Sequence, residues 1–360
     1  MGDGSGEEVP SVSKIVLFGA TGYTGRLAAS AMSRRGAPLV LAGRDQQALE
    51  SLADELDGPG QVEFAVARVG DDGLERLLDE GDVLVSTVGP FTTIGETAVR
   101  AAIARRATHV DSAGEGGFHR RVFDEWGPAA ATTGVGLLSG IGADWVPGNV
   151  VGAAALREAG PGRAVRLVVD YLITGTSFGF SAGSMRTGQV LMADPPLPLA
   201  FRDGAVVEVT AGTRELTGPD GVVRANRATG TEHWTLPRLE PSVTQIDVYI
   251  AYPTPEPLTG AGPSEASRSR NQQLVSARAY DAAGDEIAGA RIVAGNGYDY
   301  TGHVLAWAAE TALTSGVRGT GALGPIDAFG LDALERFHDD LGVESTSWRS
   351  ALPTESETPP

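Results

Sequence analysis

Three glycines spaced Gly-x-x-Gly-x-x-Gly carry the clearest chemical signal in this 360-residue chain. The run Gly19-Ala20-Thr21-Gly22-Tyr23-Thr24-Gly25 stands between an apolar stretch, 14–18, and an amphipathic one, 26–35. A strand that ends in such a turn and opens a helix offers a phosphate free backbone N–H groups and the positive end of a helix dipole. Gly19 would permit the tight turn, Gly22 the approach of a pyrophosphate, and Gly25 the close packing of helix on strand. An ordinary glycine-rich turn is the plainer alternative. The second apolar stretch, 38–42, runs into Gly43-Arg44, where a fold that takes NAD usually places an acid for the ribose hydroxyls. Gly43 leaves room and the Arg44 guanidinium suits a 2′-phosphate, so NADP is the expected cofactor. Asp45 either competes for that role or caps the following helix. A later apolar stretch, 82–86, runs into Val88-Gly89-Pro90-Phe91. These are small residues and a kink that would keep the chain beside a nicotinamide ribose, unless they only stop the strand.

Composition removes several other chemistries. There is no cysteine, which excludes disulfides, thiolate nucleophiles and cysteine-ligated metals. Lys14 is the only lysine and begins a strand, so a Schiff-base lysine and a phosphate-loop lysine are not expected. The histidines at 109, 119, 233, 303 and 338 form no ligand-spaced pair, and no metal site is expected. A formal charge of −18 repels nucleic acid. The apolar stretches stop well short of the ~20 residues of a membrane span. No signal segment is visible at the N-terminus, and a cytoplasmic location is expected.

These residues need elements to hold them. Short apolar strands at 14–18, 38–42, 62–66, 82–86, 108–111 and 135–138 alternate with helical patterns, the rhythm of a doubly wound parallel sheet. After about residue 160 the pattern turns to longer alternating segments, at 165–173, 206–209, 242–252, 274–281 and 287–293, as in an antiparallel sheet. A helix is expected over 183–192, a lid-like loop over 253–273, and a helix over 303–315 that returns to the first domain. The expected fold class is α/β, a Rossmann sheet with an inserted, mostly antiparallel second domain. The Rossmann domain would span 12–160 and 296–345, the substrate or lid domain 161–295, with disordered tails at 1–11 and 346–360.

With the glycine turn, Leu41-Ala42-Gly43-Arg44 and Val88-Gly89-Pro90-Phe91 in place, the chain resembles the saccharopine dehydrogenase-like NADP-binding family. It is most similar to the branch of trans-acting enoyl reductases and saccharopine dehydrogenase-like oxidoreductases. The resemblance extends through His109-Val110-Asp111 with Gly114-Glu115, and through Ile141-Gly142-Ala143-Asp144-Trp145-Val146-Pro147. It implies NADPH-dependent reduction of imines or of carbon–carbon double bonds, and a loop carrying Asp144 that faces cofactor and substrate. A proton donor must come from Asp, Glu, His, Tyr or water. Asp144 is the first candidate and Glu115 the second, each with helix capping as the alternative. His119 reads as a solvated helical histidine. Tyr171, Ser184 and Arg186 come from the strand and helix that would cover the nicotinamide. Tyr171 is carried as catalytic, Trp145, Ser184 and Arg186 as substrate-binding, and a solvent-exposed place is the alternative for Arg186. A tyrosine of Gly297-Tyr298-Asp299-Tyr300 could approach the cleft, but a hinge between domains is the plainer reading. The expected function is an NADPH-dependent reductase acting on the C=N or activated C=C of a small metabolite. A homodimer through the second domain is the assembly considered. The alternative is a non-catalytic NADP-binding redox sensor or interaction protein on the same fold.

Overall fold

The computed structural model describes residues 13–350 except 176–178, 194, 220 and 254–260. Seven short strands form the first sheet: β1 (Ile15–Phe18), β2 (Leu39–Gly43), β3 (Val62–Val66), β4 (Val83–Ser86), β5 (Thr108–Asp111), β6 (Gly136–Leu138) and, from far down the chain, β15 (Gly321–Leu323). Their order is β15-β6-β5-β4-β1-β2-β3, all parallel. Because β1, β2 and β4 are fully buried, they read as nearly continuous apolar runs. The register pairs Phe18 with Ala42 and Ser86, and Ser86 with Asp111. The residues that follow these strands therefore share one edge of the sheet, where ligands of such folds sit.

The second sheet has nine strands. These are β7 (Arg166–Thr174), β8 (Leu199–Arg202), β9 (Ala205–Glu208), β10 (Thr213–Gly218), β11 (Gly221–Ala228), β12 (Gln245–Ala251), β13 (Gln272–Tyr280), β14 (Glu286–Ala294) and β16 (Glu344–Arg349). Its main path is β10-β11-β12-β7-β13-β14-β16. Every pairing is antiparallel except β12 with β7. The expected α/β architecture with a mostly antiparallel second sheet is the one observed.

The chain crosses between the layers more often than its sequence suggests. Helix Val146–Ala159, expected with the first domain, packs on β13 and β14. It is buried nearly all round, so it lacks the one-sided pattern that would assign it to a layer. Helix Gly297–Ser315 does return to the first domain, and Gly302 lets it approach Leu27 of helix Tyr23–Arg35. Residues 346–349, expected in a disordered tail, belong to edge strand β16, whose Ser345 pairs with Ile292 and Trp348 with Gly289. Exposed along most of its length, β16 has no apolar run to announce it. The rest of that tail from 351 to 360 and the other one, 1–11, lie outside the described residues, as do residues 254–260 of the expected lid loop. Within the lid region, residues 265–268 form a helical turn.

Candidate active site

The glycine turn has the geometry that its spacing predicts. Gly19 takes a left-handed φ of +90°, and a Cβ there would lie 2.7 Å from Val88 Cγ2. A Cβ on Gly25 would meet the Gly19 carbonyl. Ala20 is buried behind the turn, Thr21 is partly covered and Gly22 is exposed. Helix Tyr23–Arg35 starts at Gly22 with no side-chain cap and no acid in its first turn. Its first amides are therefore open to an anion. At the end of β2, Gly43 is buried against Leu49 and Arg44 is exposed. Arg44 has no ion pair among the described residues. Asp45, the acid that could have served a ribose, caps helix Gln46–Glu55 through the Ala48 amide at 3.1 Å. This edge fits a dinucleotide: an open cradle for a pyrophosphate, and one guanidinium without a competing carboxylate.

Next to it lies a cleft of about 420 Å³ between the two sheets, within the size range of small-molecule sites. One wall is the loops after β4, β5 and β6, with Thr87, Gly89, Phe91, Ser112, Gly114, Glu115, Ala143 and Asp144. The other is Ile173 of β7, Gln273 of β13 and helix Ala182–Ala193 with Ser184, Thr187 and Leu191. Thr24, Tyr298 and Thr301 also line it. Of the expected site residues, the cleft thus gathers Thr24, Gly89, Phe91, Glu115, Asp144 and Ser184. Val88 buttresses Gly19, and the Pro90 carbonyl accepts the amides of Thr93 and Ile94.

The two acidic candidates differ in their partners. Glu115 is 1% exposed. Its carboxylate accepts the amides of Phe91 at 2.7 Å and Thr92 at 2.8 Å, and the hydroxyls of Thr92 at 2.5 Å and Thr187 at 3.1 Å. It starts the turn Phe91–Ile94 and ties that turn to helix Ala182–Ala193. It does not cap the helix that follows it with its side chain. Asp144 accepts no hydrogen bond among the described residues, and burial pushes its carboxyl up to about 6. Its loop is held from behind, where the Ala143 amide donates to Thr301 Oγ1 at 3.0 Å and the Ile141 amide to the Asp111 carbonyl at 2.7 Å.

Four residues stand differently from expectation. Tyr171 is fully buried, with its hydroxyl donating to Glu232 Oε1 at 2.6 Å and accepting the Gly148 amide at 2.9 Å. It packs edge-on to Trp145, ring centroids 5.8 Å apart. Neither residue lines the cleft. Tyr171 and Ile173, two apart on β7, face the same side of the sheet; Tyr171 meets helix Val146–Ala159 at Gly148, and Ile173, nearer the end of the strand, reaches the cleft. Arg186 stands on the exposed side of its helix, in keeping with the solvent alternative. His119 is fully buried, not solvated. Its Nδ1 lies 3.0 Å from Ser139 Oγ, and burial drives its pKa down to about 4. Ser139 in turn donates to Asp111, which also accepts the Gly140 and Ala113 amides and bonds His109. Burial opposes ionisation of Asp111, but the His109 contact and those two amides hold its carboxyl below the ordinary range. This network fixes the loops after β5 and β6. Glu232, buried beside Tyr171, is pushed up to about 8 by desolvation, so at neutral pH it is largely protonated.

Sequence reasoning set Tyr298 aside as part of a hinge. It lines the cleft, and the helix start that places it there was marked by Asn296, whose side chain accepts the Tyr298 amide at 2.8 Å. Among the described residues no cluster of His, Asp or Glu could hold a metal ion, and no helix is long and apolar enough to cross a membrane.

Residues 15–130 match the family described as the saccharopine dehydrogenase NADP-binding domain. A Mycobacterium tuberculosis protein provisionally named a trans-acting enoyl reductase is 31% identical over 215 residues, covering 57% of this chain and 51% of that protein. A lipid droplet localized protein of Caenorhabditis elegans is 29% identical over 222 residues, 58% and 50% of the two chains. The chain spans about half the length of these curated relatives. The solved apo saccharopine dehydrogenase (L-Glu forming) of Saccharomyces cerevisiae superimposes with a TM-score of 0.64 at 12% identity, over 94% of this chain and all of that one. Residues 15–130 are thus similar to the saccharopine dehydrogenase NADP-binding domain, and the chain as a whole shares the fold of saccharopine dehydrogenase.

Proposed function

We propose that the protein is an NADPH-dependent reductase of a small metabolite, acting on a C=C conjugated to a carbonyl in preference to a C=N derived from an amino acid. One observation supports the choice of bond. No Arg, Lys or His is among the described residues lining the cleft, and the segments 176–178 and 254–260 contain none in sequence. An amino-acid imine brings a carboxylate that such sites hold with a guanidinium, and this cleft has none to give. The cofactor, when bound, supplies hydride. The glycine turn and the first amides of helix Tyr23–Arg35 hold the pyrophosphate, and Arg44 binds the 2′-phosphate. Asp144 holds a proton at its unpartnered carboxyl and delivers it to the substrate. Glu115 keeps the turn Phe91–Ile94 in place, and the wall formed by helix Ala182–Ala193 limits water.

NADPH should raise the melting temperature, and NADH should raise it less. The protein should then oxidise NADPH in the presence of crotonyl-N-acetylcysteamine. Equal stabilisation by both cofactors removes the 2′-phosphate role. A faster reaction with an amino-acid-derived imine removes the preference for C=C.

A further inference from the structure

Tyr298 begins the helix Gly297–Ser315, and its ring stands edge-on to Tyr23 with centroids 4.8 Å apart. Its hydroxyl is where the second domain grips the first. The Ser181 amide donates to it at 3.0 Å, and Ser184 Oγ lies 2.9 Å away. Ser184 Oγ is also 3.0 Å from Ser181 Oγ, which accepts the Ser184 amide at 3.2 Å. A hydroxyl donates one proton and accepts two. Ser181 Oγ already accepts an amide, so it can donate to Ser184, and Ser184 can donate onward to Tyr298. The phenol oxygen then accepts twice, from the Ser184 hydroxyl and the Ser181 amide. In that arrangement the phenol's own proton has no acceptor among the described residues, and its open side is the cleft. Two donors on the oxygen strengthen the O–H as a donor. Tyr252 also lines the cleft, Glu115 is occupied by its donors, and Asp144 is assigned to proton transfer.

We propose, resting on the reductase function above, that Tyr298 is a catalytic residue that binds the substrate's carbonyl oxygen and stabilises the enolate, with Ser181 and Ser184 as positioning residues. When the β-carbon of the conjugated double bond takes up hydride, the π electrons move to the carbonyl oxygen, which Tyr298 holds by its O–H. The α-carbon then takes the Asp144 proton, the C=O re-forms, and water reprotonates Asp144. The double bond gains two electrons and two hydrogens, and the cofactor loses two electrons. A donor aimed at charge that develops only during the reaction lowers the barrier and not merely the binding energy.

The test is calorimetric binding at pH 7, with NADP⁺ saturating, of the enolate of 1,3-cyclohexanedione and of uncharged 2-cyclohexenone. The wild-type complex should bind the enolate. Tyr298→Phe should weaken it at least about tenfold, with a smaller change for 2-cyclohexenone and little change in NADP⁺ affinity or melting temperature. Ser184→Ala should fall between the two. Equal enolate affinity in Tyr298→Phe, or no enolate binding by the wild-type complex, overturns the assignment. Equal losses for both probes with a lowered melting temperature also overturn it, leaving Tyr298 as a latch between domains. Failure of the wild type to bind NADP⁺ at all takes down the reductase function, and this role with it.

Discussion

The loops after β5 and β6 each bring one carboxyl group to the same cleft, and the two groups are treated in opposite ways. Glu115 is surrounded by four donors, two of them backbone amides. Asp144 has none among the described residues and sits in a site that disfavours its charge. A carboxylate with every lone pair occupied organises structure, because releasing it to accept a proton would orphan buried donors. A carboxyl without partners has its proton affinity raised by desolvation, here to about 6, which brings proton exchange close to neutral pH. Two acids that look alike in a sequence thus have different work, decided by how many N–H and O–H groups point at each.

The largest effect that could break this contrast is on turnover. Asp144→Asn should lower kcat with crotonyl-N-acetylcysteamine by about a hundredfold or more while NADPH affinity stays near wild type. Full activity would remove Asp144 from the chemistry. The pH profile sharpens the same point. Asp144 must carry its proton to act, so kcat should decline as pH rises through about 6. That limb should be absent in Asp144→Asn. Stability has the same sign. The folded pKa lies above the ordinary 3.8, so the contribution of this group is full below 3.8 and lost as pH rises through about 6. Asp144→Asn should therefore gain on the wild type in urea midpoint between pH 5 and 7.

A cofactor variant comes next in size. Arg44→Asp should weaken NADPH binding by roughly ten- to a hundredfold, leaving NADH binding nearly unchanged. Unchanged NADPH affinity would show that something else holds the 2′-phosphate. Glu115→Gln should act on the fold, since one accepting oxygen becomes a donor facing other donors. A loss of about 1–3 kcal/mol in denaturant unfolding is expected, with a kcat decline no larger than the change in folded population explains. If Glu115→Gln were as stable as the wild type but inactive, the roles of the two acids would be reversed. The smallest effect on turnover belongs to Tyr171→Phe. It takes away the donor to Glu232 and should lower stability by about 1–3 kcal/mol while kcat changes by less than about threefold.

Local sequence determined the nucleotide edge. The apolar runs of β1 and β2, the glycine spacing and Gly43-Arg44 specify a strand, a turn and a helix start whose geometry is set by bonds within a few residues. The alternating rhythm also announced a parallel sheet followed by a mostly antiparallel one. Tertiary structure decided which side chains reach the cleft. Tyr171 and Ile173 lie two apart on one face of β7, and sequence cannot tell how far along that face helix Val146–Ala159 covers it; Arg186 and Ser184 share one helix with no charge pattern to separate them. Tyr298 and Thr301 enter the site from a helix more than a hundred residues beyond the loops they support. Neither Glu115 nor Asp144 has a local feature that reports its partners, because the donors to Glu115 come from residues 91, 92 and 187. The backbone bends on its own sequence, but the proton affinity of a buried acid depends on chain brought from elsewhere.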